Sequence, residues 1–490
     1  MSAARPLRAG IVDGQVEAPR ASTALPLAEA AGSIPLADAA ALPSRPRISV
    51  PRFPSALGTE RTRARLGIAG LLIAASVIAV GAARTGSLLP QSVRPVPAPL
   101  GGAFDAIAVD LHPGGVIAAL ALMFASYAAV VALSGRLTAR AVIATVLALH
   151  ALVLLAPPLV STDIFSYQAY ARMGSLYAIN PYTHGPYAIG LDSVFPYVGA
   201  KWSYTPSVYG PLFTVFSYLI APLSVAASVF AYKSLAAVSS LALIAVVWRG
   251  ARLRDRDPVR AVAIVGCNPL LIVYGVGGGH NDLVMLLAMV GAVYALIASR
   301  ERIGGMLGML AVGLKLTAGL ILPFALAAPD RREAARRRDL ALGVAAGTVS
   351  VLAVGFGVFG TGLLQMFATL DKAQTEGGDS SFPGFVAARL GLPGVGHRAG
   401  FALAAVFALV CVWLLRRVWR GRLDWIDGSA WAMIAMLLAT GSLLPWYVSW
   451  LLPLVALARD RRLLSAAMTM TGVVLCIQLI GYVPHYRGLF

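Results

Sequence analysis

Charged residues are scarce in this sequence, since Asp, Glu, Lys and Arg make up 13% of its 490 residues. A soluble domain normally carries about 25% charged residues, so the scarcity excludes an ordinary soluble fold. Hydrophobic residues make up 58%, and the mean hydropathy is +0.76. The apolar runs, mostly of about 17–25 residues, can each cross a hydrocarbon core of about 30 Å. The composition predicts an all-α integral membrane protein, a multi-pass bundle of about 11–13 transmembrane helices.

Several chemical motifs are absent from the chain. It contains no Walker A loop, no HExxH, no CxxC pair, and no dinucleotide-binding glycine fingerprint placed in a soluble unit. The first outer loop has no DxD sequence, so neither a metal nor another cofactor is expected. No soluble segment is large enough to bind a nucleotide. An enzyme of this kind must therefore take its activated substrate from the membrane, and a lipid-phosphate-linked sugar meets that requirement.

Cysteine is rare and negative charge is in deficit. The three cysteines lie in apolar segments without a partner at metal-ligand spacing, and we expect them to be small core residues. The formal net charge is +18. Most arginines flank apolar runs, where they set topology and meet anionic headgroups, so we expect the lipid bilayer as a partner and no nucleic acid.

The apolar runs predict the span positions and their orientation. Residues 1–60 lack helical apolar periodicity and an apolar segment typical of a signal peptide, so they are predicted to be a disordered cytoplasmic tail preceding a polytopic membrane domain over 61–490. Arginines before the first run predict a cytoplasmic N-terminus. The predicted runs are 66–83, 114–134, 139–158, 227–248, 261–277, 282–299, 303–313, 314–328, 339–360, 399–418, 428–444, 446–458 and 462–482.

The basic clusters between the predicted runs fall on the same side of the membrane under two conditions. The segment around 205–226 must re-enter or lie at the interface, and 303–328 must form two half-crossings with a break at Gly313-Leu314-Lys315. Broken helices occur at membrane depth only where protein or a water-filled cavity surrounds the freed backbone, so they indicate a site. This topology assigns to the outer face the long loop 159–208, a glycine-rich turn, Lys315 and the polar loop 361–398.

Asp163 follows the third run directly and is the first candidate catalytic residue. It lies in a loop with few other carboxylates, where it can accept a proton from an acceptor hydroxyl. The alternative is that Ser161, Thr162 or Asp163 caps an interfacial helix over 164–179. The two roles are compatible with each other.

Aromatic and polar residues are dense between this helix and the next apolar segment. They suit carbohydrate recognition, and they equally suit an aromatic belt at the membrane interface. Asn-Pro and Gly-Pro pairs indicate turns in a loop too long for a simple connection. The candidate substrate-binding residues here are Tyr167, Arg172, Asn180, Tyr182, His184 and Tyr209.

The glycine-rich turn and Lys315 complete the set of candidates. Three glycines at 277–279 precede His280, Asn281 and Asp282 at a helix start, where polar groups are costly unless they are used. We expect His280 and Asn281 to bind the donor phosphate and Asp282 to bind substrate or cap its helix. Lys315 has a lipid phosphate as its expected partner, with snorkelling to the interface as the alternative. Weaker candidates are Arg389, His397, Arg398, His485 and Arg487.

Five motifs occur in a set order along the chain. They are Asp163-Ile164-Phe165-Ser166-Tyr167, Ile179-Asn180-Pro181-Tyr182, Tyr209-Gly210-Pro211-Leu212, Gly279-His280-Asn281-Asp282 and Gly313-Leu314-Lys315. Over about 65–482 the chain resembles the actinobacterial polyprenol-phosphate-mannose-dependent α-1,6-mannosyltransferases of the MptB type, in the glycosyltransferase C superfamily.

The resemblance implies a glycosyltransferase C fold for 61–490 and a site in the outer loop 159–208. The donor would be a polyprenyl-monophosphate mannose, the acceptor a growing α-1,6-mannan of lipomannan or a related lipoglycan, and transfer would invert the anomeric centre. Asp163 matches the placement of the superfamily's general base, although that loop usually follows the first span and here follows the third. The implied location is the plasma membrane, with the active site on the extracytoplasmic face.

Two other functions stay open at this point. A polyprenyl-glycan transporter or flippase would also use broken helices and a buried lysine, but no inverted repeat is evident and the polar residues cluster on one face. A related enzyme could use another lipid-linked sugar, such as an arabinosyl donor.

Overall fold

The computed structural model describes residues 56–376, 395–440 and 443–480, and the regular elements in these ranges are all helices. The protein is thus a multi-pass helical membrane protein, as predicted. The predicted tail, except for its last residues, lies outside the described ranges, as do Arg389, His485 and Arg487. His397 and Arg398 fall at the start of a described helix.

Eight helices make up the first part of the described chain. They are α1 (Ala56–Gly81), α2 (His112–Ala132), α3 (Ala139–Leu155), α4 (Asp163–Leu176), α5 (Pro211–Ser217), α6 (Val225–Leu253), α7 (Pro258–Gly266) and α8 (Asp282–Ile297). A π-helical segment, Leu270–Val276, lies between α7 and α8.

Eight more helices follow. They are α9 (Glu301–Leu314), α10 (Ile321–Ala327), α11 (Ala334–Phe359), α12 (Gln365–Glu376), α13 (Val395–Trp419), α14 (Trp425–Ala439), α15 (Leu452–Leu457) and α16 (Arg462–Ile480). The predicted polar loop 361–398 therefore contains a helix, α12. Two 3₁₀ segments, Leu316–Leu320 and Pro445–Trp450, contribute to the site described below.

Fewer helices are long enough to cross a membrane than the apolar runs predicted. Judged by length and composition, six described helices qualify, and α7 with the π-helical segment makes a seventh if this pair, bent by 50°, is one span. The other apolar helices have 10–17 residues, which at the α-helical rise is about 15–26 Å and short of the hydrocarbon core. Several of the predicted 11–13 transmembrane helices therefore correspond to shorter described helices, because their apolar runs are broken.

The structure agrees with both conditions on the predicted topology, the break near Lys315 and the segment around 205–226 that does not cross. Helix α9 ends at Leu314, and Lys315 is extended (φ −160°, ψ 126°) before the chain resumes as a 3₁₀ segment, so the predicted break is present. Helix α5 has seven residues, about 10 Å, and turns follow it, so 205–226 contains no helix that could cross alone.

The loop 159–208 is folded around a buried helix. The prediction of a helix over 164–179 is confirmed as α4, but Ile164–Met173 are all buried in protein instead of lying at a free interface. Its aromatic residues pack inward, and the Phe165 ring stacks on Tyr197 at 5.3 Å. This loop is therefore part of the core that holds Asp163.

Glycines bring α9 and α11 into close contact. A Cβ on Gly343 would lie 2.1 Å from the carbonyl oxygen of Arg302, and one on Gly305 would lie 2.5 Å from that of Leu340. Small residues at such positions allow helix backbones to approach in a membrane protein, where van der Waals packing drives association. This packing fixes the helix whose end carries Lys315.

Candidate functional site

Asp163 is the first residue of α4, and its carboxylate lies beside His280. Asp163 Oδ2 is 3.5 Å from His280 Nδ1, and the aspartate side chain keeps 19% of its surface exposed. The residue before the helix, Thr162, makes no side-chain capping bond, while Ser161 Oγ accepts the N–H of Asp163 at 3.2 Å. The local turn is thus held by serine, and the aspartate carboxylate faces His280.

The glycine-rich turn lies close to the first turn of α4 and to the segment before it. Gly279 has φ +66°, which favours glycine, and a Cβ there would lie 2.6 Å from Ile164 Cδ1. The carbonyl of Gly277 accepts the N–H of Leu159 at 3.1 Å. These contacts join the two loops and bring His280 to Asp163.

His280 is fully buried and held by its neighbours. Its ring stacks on Trp446 with centroids 3.7 Å apart and an interplanar angle of 21°. Nδ1 lies 3.4 Å from the Tyr167 hydroxyl, which donates to Asn281 Oδ1 at 3.2 Å and accepts the Asn281 N–H. Burial lowers the pKa of His280 to about 3, so the imidazole is neutral, and its Nδ1 faces both the Tyr167 hydroxyl and the Asp163 carboxylate.

The environment of Asp163 favours its protonated form more than water does. Burial raises the pKa of Asp163 to about 6, with a further increase from the Asp282 charge. The Lys315 charge and a hydrogen bond from Ser161 act in the opposite direction. A carboxylate with this pKa is largely ionised at pH 7 and more basic than an ordinary aspartate, which suits a general base.

Lys315 forms a second charged centre close by. Its Nζ lies 2.7 Å from Asp282 Oδ1, which also accepts the Trp450 indole N–H at 2.7 Å. The ammonium group lies 4.8 Å from the Tyr447 ring centroid and 4.9 Å from that of Trp450. Lys315 keeps 18% of its side chain exposed whereas Asp282 keeps 1%, so the lysine can contact a ligand and the aspartate holds it in place.

The aromatic segment Pro445–Trp450 contributes to the site, although none of its residues is among the predicted candidates. The sequence predicts a span over 446–458, because Trp, Tyr and Val are compatible with a membrane helix. The segment is instead a 3₁₀ turn, preceded by undescribed residues 441–442, that packs against His280 and Lys315. Three large aromatic residues within five positions after a proline are the signal that could have identified it.

A cavity of about 350 Å³ connects these groups. Asp163, Tyr209 and Lys315 line it, together with Tyr447 and Trp450. Part of the lining is polar or aromatic, from Ser166, Tyr170 and Trp202. Another part is apolar and comes from five segments: Leu316, Met366, Leu370, Ala404, Phe407, Met436, Leu437, Ala439 and Leu444.

Six of the seven candidate substrate-binding residues do not line this cavity, and four of them belong to the loop fold. Arg172 forms a buried ion pair, with Nη1 2.6 Å from Asp192 Oδ1. Asn180 accepts the N–H of Tyr182 and donates to a backbone carbonyl, and the buried Tyr182 hydroxyl donates to the Tyr209 carbonyl. His184 is exposed and bonded to its neighbour Thr183. These side chains stabilise the loop fold, so the geometry gives their predicted substrate contacts no support.

Tyr167, Asn281 and Asp282 lie beneath the cavity. They are buried and bonded to one another or to Lys315, and they orient the groups above them. Of the candidates, Asp163, Lys315 and Tyr209 line the cavity itself. Within the described ranges, no group of three or more His, Cys, Asp or Glu residues is arranged to hold a metal ion.

Lys233 is a further buried group that the sequence analysis left inside an apolar run. It is 1% exposed, and its Nζ donates to the carbonyls of Ala156 and Pro157, the latter at 2.9 Å. Its Cγ lies 3.4 Å from the position of a Cβ on Gly279. One lysine of α6 thus contacts both the segment that leads to Asp163 and the turn that carries His280.

Comparison with known proteins identifies two matching family profiles. The profile described as "Alpha-(1->6)-mannopyranosyltransferase, N-terminal domain" matches residues 65–330, which is more than half of the chain. The profile described as "MptB C-terminal domain" matches residues 395–480. Together they cover the helices that form the cavity, apart from the intervening segment.

Individual relatives carry similar names. The chain is 28% identical over 464 residues to "Alpha-(1->6)-mannopyranosyltransferase A" of Mycobacterium tuberculosis, covering 87% of this chain and 86% of the relative. It is 33% identical over 176 residues to the protein of the same name from Corynebacterium glutamicum, covering 34% of this chain and 35% of the relative. No solved structure was found to match the chain.

The contacts of Lys233 predict that Lys233→Met loosens the Asp163 segment. The change leaves two buried carbonyls without their charged donor, which costs about 1–3 kcal/mol per group. We expect amide hydrogen exchange at Leu159 and Val160, whose N–H groups bond to Gly277 and Leu88, to rise by about tenfold or more. Lys233→Arg should retain most of the protection, and Lys201→Met, at an exposed loop lysine, should leave it unchanged. Unchanged exchange in Lys233→Met contradicts the assignment.

Proposed function

Because this chain belongs to the α-(1→6)-mannopyranosyltransferase family and is a multi-pass membrane mannosyltransferase, we propose that it uses a polyprenyl-monophosphate-mannose donor. The proposed acceptor is the 6-hydroxyl of an α-1,6-mannan in lipomannan or lipoglycan synthesis. The observation that carries the proposal is one cavity that contains a carboxylate, an ammonium group and an apolar wall.

The donor fits the side of the cavity around Lys315. A lipid monophosphate needs a cation for its phosphate and an apolar surface for its chain, and Lys315 lines the same cavity as Leu316, Met436 and Leu444. A positive charge placed where negative charge develops on the leaving phosphate lowers the barrier. Asp282 and Trp450 hold the lysine in position before the donor binds.

The acceptor fits the side around Asp163. Gly199 packs against Thr162 next to Asp163, and Trp202 follows in the same loop and lines the cavity. Aromatic rings present flat faces on which sugar rings can stack, and Tyr209 lines the same cavity as Trp202. In this arrangement an acceptor sugar lies over aromatic residues with its 6-hydroxyl towards the Asp163 carboxylate.

The proposed reaction is a single displacement. Asp163 takes the proton of the acceptor 6-hydroxyl while the oxygen of that hydroxyl forms a bond to the anomeric carbon of the donor mannose. The bond from that carbon to the phosphate oxygen breaks, and the lipid phosphate leaves with its negative charge next to Lys315. Attack from the side opposite the phosphate inverts the anomeric configuration. His280, Asn281 and Tyr167 orient the base, a role that their burial favours over direct phosphate binding.

We also propose the orientation of the domain over 61–490. The N-terminus would be cytoplasmic and the cavity would open on the extracytoplasmic face of the plasma membrane. Arginines in the first turns of α1 and in the connections α6–α7, α10–α11 and α13–α14 support this assignment by the positive-inside rule.

Asp163→Asn is predicted to abolish transfer without unfolding the protein. The amide keeps the size of the side chain but cannot accept the proton, so turnover should fall about 10²–10⁴-fold. The assay is incorporation of labelled mannose from polyprenyl-phosphate mannose into a short α-1,6-mannoside by purified full-length protein. Asp110→Asn, outside the cavity lining, is the matched control and should stay active. Full activity in Asp163→Asn would remove the base assignment, and no transfer by wild type would favour another lipid sugar or transport.

The pKa of Asp163 predicts a pH dependence of transfer. Above pH 6 the carboxylate is ionised and competent; below pH 6 it is protonated, and kcat/KM should fall about tenfold per pH unit. The measurement is kcat/KM between pH 5 and pH 8, with thermal unfolding followed over the same range. A flat profile with an intact fold contradicts a base of this pKa.

Lys315→Gln is predicted to weaken use of the donor. Loss of one preorganised charge at the leaving phosphate should lower kcat about 10²–10³-fold. This variant also leaves the Asp282 charge buried and unpaired, so Lys315→Gln/Asp282→Asn serves as its control. The double variant should regain thermal stability and remain as inactive as the single one. Recovery of activity in the double variant would mean that Lys315 only neutralises Asp282.

A further inference from the structure

A second concave site lies at the C-terminal end of α13. It is a cavity of about 440 Å³ lined by Trp413, Arg416, Arg417, Arg420 and Arg422. All four arginines are exposed, and no carboxylate belongs to the lining. Four guanidinium groups around one concave surface form a concentrated positive charge that the proposed mannosyl transfer does not use.

The neighbouring carboxylates already bind other arginines. Asp424, two residues after the cavity, lies 3.0 Å from Arg254 and accepts a helix N–H as an N-cap. Glu301 lies 3.5 Å from Arg331 and 2.5 Å from Arg336. These two carboxylates are therefore paired with arginines outside the cavity lining, and the charge of the cavity is left for an external anion.

Aromatic residues give the cavity a fixed shape. The Arg417 guanidinium lies 4.9 Å from the Trp413 ring centroid. Arg337 of α11 lies 4.7 Å from the Trp419 ring centroid, and Arg332, in the turn before α11, donates to the Trp419 carbonyl. These contacts hold the end of α13 against α11 and place two more cations beside the cavity.

We propose that this arginine cavity binds the phosphate-bearing headgroup of an anionic phospholipid. Guanidinium groups bind phosphate oxygens in a bidentate manner, and tryptophan suits the headgroup layer. The cavity adjoins the end of the candidate span Ala402–Trp419, at the depth where headgroups lie. Arg416 follows Phe407 of the active-site cavity by nine residues, about 14 Å along α13, so the two sites are separate.

The test measures lipid binding to the full-length protein in detergent. Short-chain phosphatidylglycerol, phosphatidylcholine and inorganic phosphate are titrated against wild type, Arg416→Gln/Arg420→Gln, and the control Arg63→Gln/Arg65→Gln, which removes equal charge from exposed positions on α1. We expect wild type to prefer phosphatidylglycerol, the cavity variant to bind it about tenfold more weakly, and the control to stay within about twofold.

Three results would overturn the proposal. Equal losses in the two variants would indicate unspecific attraction to basic residues. An unchanged affinity in the cavity variant would exclude the cavity. Inorganic phosphate binding as tightly as the phospholipid would assign the site to a soluble anion. If the double variant lowers the thermal stability, Arg420→Gln alone is measured, and it should still bind phosphatidylglycerol more weakly than wild type.

Discussion

The ion pair between Lys315 and Asp282 is the interaction on which the site depends. It joins the broken end of α9 to the start of α8, and the Trp450 indole N–H adds a third segment at the same carboxylate oxygen. A lysine or an aspartate alone at this depth would be expensive, whereas the pair with its hydrogen bond is stable as long as both partners remain. The cavity forms where these segments meet, and Lys315 and Trp450 are part of its lining.

Much of the fold and the centre of the site could be predicted from the sequence. The break before Lys315 and the helix beginning at Asp163 are local features, marked by a charge inside an apolar run and by the Pro-Pro and Ser-Thr pairs before α4. The closeness of His280 to Asp163 is not local, but the glycine-rich turn indicated a tight backbone approach. These residues share one property, since each is polar where the surrounding composition is apolar.

The remaining features depend on contacts that composition does not encode. Arg172 looked like a sugar-binding residue among tyrosines, but its partner Asp192 is twenty residues away in the same loop. Trp446 and Trp450 resemble membrane residues until the chain folds them against His280 and Lys315. Fewer described helices are long enough to cross alone than there are apolar runs, because helix length depends on where hydrogen bonding is interrupted. An apolar run does not mark such breaks when a residue such as Asn268 turns the chain.

The apolar wall of the active-site cavity has a consequence for how the enzyme encounters its donor. Met366, Phe407 and Met436 come from α12, α13 and α14, and the outer surface of α13 is largely exposed apolar residues. The lipid-linked donor proposed above, with its chain along that wall, would reach the cavity by lateral diffusion in the plane of the bilayer. The saturation of the enzyme by donor is then set by the mole fraction of donor in the membrane. Added bulk lipid therefore dilutes the donor even when the total amount of donor is constant.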